Sequence, residues 1–300
     1  MEARRDRYGK LIQKNKWGSM MKNSVDELYN KSYTIRKRFL DIFSQLGFGH
    51  LTTGFSEVEI LISLMEEVMD YRPGEIGSDV LYMSKGHGAG MLFPIWEDMG
   101  LLSGEEIENT LRLGSDVSKI KSWYKPGFDF YGGSLGIGLG MAAGHAKGAQ
   151  LNGEDYLVYC LVGDAECYEG AIWEAMLFAG HNQLSNLIAV VDRNGLGCSD
   201  FTEHMCEMEP FDDKWIACGW DVKHVNGHSY EELLQAMSDL RERSRSASKP
   251  LCIVADTVKG KGVEFTYNKP LMHGFMPKAE ELKKAYIELE SSFLNERQKL

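Results

Sequence analysis

The chain has 300 residues, 43% apolar and 26% charged, enough apolar material to close a sizeable core. Its net charge of −11 argues against nucleic acid as a partner, and no run of about 20 apolar residues is present to cross a membrane as a helix. The six cysteines show no CxxC pairing and no signal-peptide core opens the chain, so a cytoplasmic protein with reduced thiols is expected.

Residues 1–22 carry seven Lys/Arg against Glu2 and Asp6 and read as a basic leader outside the fold, disordered or left by a fusion junction. Ser24 to Leu46 reads as a helix. Ser56-Glu57-Val58-Glu59 has the form of a capping box, predicting an apolar helix through Met69. Asp79 to Met83 is a short strand ending in Ser84-Lys85-Gly86-His87, and Ser103-x-x-Glu106 is a second capping box. The stretch Gly132 to Gly144 reads as a turn and helix in which Gly136, Gly140, Gly144 and Gly148 recur at i, i+4. Each glycine costs a helix about 1 kcal/mol relative to alanine, so this face is expected to meet another helix or a ligand. Strands follow at Tyr156–Val162, Asn186–Val191, Trp220–Val225 and Leu251–Asp256, with a third box, Ser229-x-x-Glu232, and a charged helix from Pro277 to Leu300. Apolar, β-branched strands alternating with helices predict an α/β fold, a parallel sheet flanked by helices, in one domain over residues 23–300.

Two strand ends carry the chemistry. The first strand delivers Gly163-Asp164 and the next delivers Asp192-Arg193-Asn194, so a carboxylate and a side-chain amide reach the same sheet edge. Hard oxygen ligands there suit Mg²⁺ or Ca²⁺ bearing a phosphate. Gly163-Asp164, Glu169-Gly170, Trp173-Glu174-Ala175, Asn186-Leu187-Ile188 and Asp192-x-Asn194 together resemble the thiamine-diphosphate motif of transketolases. The resemblance implies the thiamine-diphosphate-binding fold of the diphosphate domain. It implies a metal held by Asp164, Asn194 and the carbonyl of Leu196, with Gly163, Ala165, Glu169 and Asn194 around the cofactor. Ala165 departs from the usual Gly-Asp-Gly and adds a methyl group near the diphosphate. Gly133, Ser134 and Leu135 match the cofactor-contacting glycine-rich segment of the same family.

Three glycine-flanked histidines also match. His50 follows Phe48-Gly49, His87 follows Ser84-Lys85-Gly86, and His273 follows Lys259-Gly260-Lys261-Gly262 at the family's distance. By resemblance His87 and His273 contact the cofactor, while His50 and His273 face the substrate as the catalytic pair. Thr52-Thr53 replace the usual glycines after His50, which predicts a differently shaped segment. Counting back without a gap from Gly133, a substrate-binding His-Pro becomes Lys119-Ile120, which predicts altered donor recognition. The remaining histidines read as structural or surface residues.

The resemblance covers about residues 24–280, yet only the first half of an ordinary transketolase. The glutamate that activates the cofactor's aminopyrimidine belongs to the later, pyrimidine-binding domain, and no candidate for it is found. The reading is therefore the diphosphate-binding subunit of a split transketolase, active with a C-terminal partner in an α2β2 assembly. Its reaction would be transfer of a two-carbon ketol unit from a ketose, phosphorylated or otherwise modified, to an aldose. A subunit of another thiamine enzyme, such as a 2-oxo-acid dehydrogenase, and a non-catalytic assembly or regulatory protein of this fold are the alternatives.

Overall fold

Six parallel strands frame the structure, a computed structural model that describes residues 22–47, 49–112, 130–131 and 133–298 and three short N-terminal strands. The latter, β1 (Arg4–Arg5), β2 (Leu11–Lys14) and β3 (Met20–Met21), pair antiparallel within the stretch read as a leader. The main sheet contains β4 (Val80–Met83), β5 (Phe130–Tyr131), β6 (Val158–Gly163), β7 (Leu187–Arg193), β8 (Asp221–Asn226) and β9 (Leu251–Asp256). Its order is β5-β4-β6-β7-β9-β8, every pair parallel. The predicted parallel α/β architecture is present, with strand ends shifted by one or two residues.

The central strands are apolar on both faces because helices cover both. Successive side chains alternate. Leu81, Tyr159, Leu161, Ile188, Val190, Leu251 and Ile253 face one core with the helices Val25–Leu46, Val58–Ile62 and Tyr230–Ala236. Val158, Cys160, Val162, Ala189, Val191 and Val254 face the other, with the helices Ile137–Asn152, Gly170–His181 and Phe211–Ala217. Cys160, Cys167 and Cys252 are buried, and all six cysteines are free thiols, as expected.

Local signals fare unevenly. Ser24 caps the first helix with a complete capping box, and Ser103 and Glu106 form the predicted one. At Ser229 only half forms: its hydroxyl accepts from Glu232 N–H, while the Glu232 carboxylate turns to the Asn226 N–H. The box at Ser56 is overturned. Ser56 ends a helix, Leu51–Ser56, and its hydroxyl donates to Thr53 O and Asp192 Oδ2. Glu59 instead binds Arg36 at 2.6 and 2.7 Å. Arg36 and Glu59 are both buried, so each compensates the other's charge where water cannot. The predicted single helix is accordingly Val58–Ile62 followed by a π-helical turn, Ser63–Val68.

Glycines show where backbones meet. The end of the Gly170–His181 helix lies against the turn after Phe211–Ala217, where Trp220 donates its indole N–H to Met176 O at 3.0 Å. A Cβ on Gly180 would stand 1.9 Å from Cys218 O. Gly180→Ala should therefore force the turn away and destabilise the fold by about 1–3 kcal/mol, the usual scale of overpacking. A urea midpoint unchanged from the parent would show that the two backbones are not in contact.

Candidate active site

The carboxyl ends of β4, β6, β7 and β9 form one edge, and the candidate residues gather there. β6 pairs with β7 so that Gly163 stands opposite Asp192, bringing the two motif ends side by side. Asp164 is buried; its Oδ1 accepts from Ala165 N–H at 2.7 Å and its Oδ2 from Gly195 N–H at 2.6 Å. Burial pushes its carboxyl up to about 6, the Asp192 charge adding to the rise and the two N–H donors opposing it. Asn194 Oδ1 accepts from Leu196 N–H at 3.2 Å, and its Nδ2 donates to Asp192 at 3.3 Å. Asp164, Asn194 and Leu196 thus share one corner. Ala165 sits in a 3-10 turn outside the left-handed region, so the backbone accepts alanine where a glycine is usual.

Beneath that corner Asp192 is fully buried. One oxygen accepts from the Ser56 hydroxyl at 2.6 Å and from the Lys85 ammonium; the other accepts from the Thr257 hydroxyl. Lys85 also lies 2.6 Å from Glu57. Burial works against the Lys85 charge, but the Asp192 and Glu57 carboxylates outweigh it and hold its pKa above the ordinary value. Burial lifts Glu57 to about 7 against the pull of Lys85. This ionic layer was not legible as a unit, since Asp192 lies 107 residues from Lys85, 136 from Ser56 and 65 from Thr257.

The three histidines converge from three segments. His50 stands at the start of the helix Leu51–Ser56, His87 in the 3-10 segment Gly86–Met91, and His273 after the turn Pro270–Met272. Their ring centroids lie 5.3 Å (50 to 87), 5.2 Å (50 to 273) and 4.9 Å (87 to 273) apart. The Thr52 hydroxyl donates to Met272 O at 3.1 Å, so the threonine pair forms a helix docked on the His273 turn. All three pKa values are lowered, in each case chiefly by burial: His87 to about 2, with Lys85 adding to the effect, and His273 to about 4, with Lys259 adding to it. The cluster is therefore neutral at pH 7. Lys259 joins it to the Asp164–Asn194–Leu196 corner, its Nζ 3.0 Å from His273 Nδ1 and donating to Leu196 O at 3.3 Å and Gly197 O at 3.4 Å. Burial brings that ammonium down to about 8. Its place in the Lys-Gly-Lys-Gly run was the only signal for it.

Gly133, Ser134 and Leu135 are exposed at the mouth of the same edge, and no described atom lies within 4 Å of where a Cβ on Gly133 would stand. Gly136 closes the turn at φ +86, its missing Cβ leaving room for Glu169, whose Cβ would be 2.7 Å away. Gly140, Gly144 and Gly148 have open space over them in this chain, so no described helix covers that face. Lys119 and Ile120 lie outside the described residues. Among the other histidines, His228 bridges Glu59 and Val258 N–H, His145 meets Tyr82, and His224 lies between Asp212 and Asp256.

Among the described residues no three His, Cys, Asp or Glu side chains converge on a metal position. The corner offers instead one carboxylate, one amide oxygen and one carbonyl, all hard donors that suit Mg²⁺ or Ca²⁺. A phosphate-bearing ligand fits beside it, where bare glycine backbone leaves space and Lys259 supplies positive charge.

Residues 29–292 match the family described as transketolase, thiamine diphosphate binding domain. The chain is 34% identical over 275 residues to a 6-deoxy-6-sulfo-D-fructose transketolase subunit from a Clostridium species, covering 90% of this chain and 98% of that one. It is 32% identical over 268 residues to one of the subunits of the apulose-4-phosphate transketolase of Phocaeicola vulgatus, covering 88% and 94%. Its fold superposes on a crystal structure of Campylobacter jejuni transketolase with TM-score 0.71 at 24% identity, over 92% of this chain. The chain spans 48% of that solved transketolase.

The neutral histidine cluster carries a stability signature. His87 stays neutral in the folded chain down to about pH 2, whereas in the unfolded chain it takes its proton near the ordinary 6.5. Below 6.5 the unfolded state binds the extra proton, so this group's contribution to stability falls as pH drops from 6.5 towards 2. His87→Asn should therefore lose less stability than the parent between about pH 7.5 and about pH 4.5. Parallel urea-midpoint curves for the two proteins would show that His87 titrates normally.

Proposed function

Because this chain belongs to the transketolase family, we propose that it is the diphosphate-binding subunit of a two-subunit transketolase, working with a C-terminal, pyrimidine-binding partner in an α2β2 assembly. The observation that carries the reading is the convergence of His50, His87 and His273 beside the Asp164–Asn194–Leu196 corner, with Lys259 joining the two. When bound, thiamine diphosphate supplies a nucleophilic carbon and an electron sink for cleaving a carbon–carbon bond beside a carbonyl. Asp164, Asn194 and the Leu196 carbonyl hold the divalent metal, and Gly133, Ser134, Leu135, Gly163, Ala165 and Glu169 line the diphosphate. His87 and His273 contact the cofactor. Neutral His50 offers one donor and one acceptor, while His273, its Nδ1 already facing the Lys259 ammonium, offers its Nε2–H as a donor, so together they orient substrate hydroxyls and hold a proton at the substrate oxygen.

The donor is a ketose carrying a phosphate or another anionic group, and the acceptor an aldose. Two relatives of nearly full length are named for 6-deoxy-6-sulfo-D-fructose and apulose 4-phosphate, and Lys119 in place of a histidine adds a positive charge to the sequence at a family donor position. The folded domain is assigned to residues 23–300, with residues 1–22 as a leader.

Two measurements test the reading. Asp164→Ala should abolish Mg²⁺-dependent binding of thiamine diphosphate in calorimetry while the melting transition persists; unchanged cofactor affinity would remove Asp164 from the site. Ketol transfer should need the cognate partner: the chain alone should be inactive and activity should appear on mixing. Robust turnover by the purified chain, with contamination excluded, would refute the split-enzyme reading.

A further inference from the structure

Glu166 is buried two residues past Asp164 and makes no contact with the histidine cluster, yet it holds three segments at once. Its Oε1 accepts from the Ser84 hydroxyl at 2.5 Å and from Gly136 N–H at 2.8 Å, and its Oε2 accepts from Gly163 N–H at 3.0 Å. Each donor belongs to a different candidate segment. Ser84 directly follows β4, three residues before His87, Gly136 closes the Gly133–Leu135 turn, and Gly163 precedes Asp164. Two further contacts make the meeting tight. A Cβ on Gly138 would stand 2.5 Å from Ser84 Oγ and 2.6 Å from Ser84 Cα, so the helix start rests directly on the end of β4. The Ile137–Asn152 helix has no acidic residue in its first turn and no side-chain cap, so the Glu166 carboxylate supplies the negative charge its N-terminus favours.

Three donors aimed at one side chain need an acceptor-only group. An ionised carboxylate has about four lone-pair sites, whereas an amide of the same shape presents one oxygen and a donating NH₂. We propose that Glu166 is a positioning residue: it fixes the glycine-rich turn and the Ser84–His87 segment against the Gly163–Asp164 corner, so that groups from three segments converge on the diphosphate without Glu166 touching it. The proposal rests on the cofactor reading above.

The test compares the parent, Glu166→Gln and Glu166→Ala in the full chain with its partner. One readout is hydrogen exchange in the cofactor-free protein over a peptide spanning residues 134–141. The other is the Kd for thiamine diphosphate at saturating Mg²⁺. Glu166→Gln keeps size and shape but sets an NH₂ against an N–H, so exchange in that peptide should rise and the Kd should weaken about tenfold or more, the scale of one lost charged hydrogen bond. Exchange in β7, which gives Glu166 no hydrogen bond, should stay at the parent's rate. A space-filling role would leave Glu166→Gln like the parent on both readouts, and that result would overturn the proposal. If Glu166→Ala fails to fold, the Gln variant still decides. Should the parent itself fail to bind thiamine diphosphate, the cofactor reading falls; faster exchange confined to the turn in Glu166→Gln would then still show that Glu166 holds it, and unchanged exchange would overturn that too.

Discussion

The candidate site depends on one carboxylate removed from water. Asp192 closes β7 with no solvent contact, and its two oxygens are satisfied by Ser56, Lys85, Thr257 and Asn194. A buried charge without partners costs several kcal/mol, and removing one partner typically costs about 3–5 kcal/mol. The low-energy arrangement is thus the one in which all four donors arrive together. They come from the helix Leu51–Ser56, the end of β4, the segment after β9 and the turn after β7, the segments that carry His50, His87, Lys259 and the Asn194–Leu196 side of the candidate corner. Asp192 touches none of the groups proposed to meet substrate, but its desolvation specifies where those segments meet.

Charge then divides the site. Lys85 is committed to Asp192 and Glu57, so its field reaches the histidines as repulsion and helps keep them neutral. Lys259 has no carboxylate in direct ion-pair contact among the described residues and is less tightly neutralised: burial lowers its ammonium to about 8, while Asp164 and Asp192 pull the other way. Neutral imidazoles beside a buried ammonium can exchange hydrogen-bond roles as a substrate oxygen gains or loses a proton, which a permanently charged imidazolium cannot do.

Much of this was legible in the chain. β6, β7 and β9 read clearly because both their faces are buried, which leaves unbroken apolar runs. Asp164 and Asn194 sit at the ends of two such runs, so adjacency in the sheet was enough to bring them together. The three histidines were found through motif context. Ser56-x-x-Glu59 misled because a capping box is a local pattern, while both residues are claimed by distant partners, Asp192 and Arg36. Glu166 and the Lys85–Glu57 pair were missed for the same reason: their roles lie in contacts across the sheet edge, and nothing in their local spacing distinguishes them from residues of a solvated acidic turn.

The electrostatics of the corner also bear on how metal and cofactor depend on each other. Lys85 compensates Asp192, whereas among the described residues Asp164 is hydrogen-bonded by two backbone N–H donors with Lys259 opposing at longer range, and its pKa is raised by burial and by Asp192. The donor set proposed for the metal, Asp164, Asn194 and Leu196, would bring a single negative charge to a divalent cation, too little to neutralise it in a site already removed from water. A bound diphosphate would bring the missing negative charge. Without a metal, the same diphosphate would face a buried carboxylate with only Lys259 and backbone N–H groups to offset the repulsion. Each ligand therefore removes the unfavourable charge that the other would leave, and by linkage the coupling is equal in both directions. On the proposed reading the site would take the two together, with the glycine-rich turn leaving backbone space for the anion and the neutral histidines adding no competing charge.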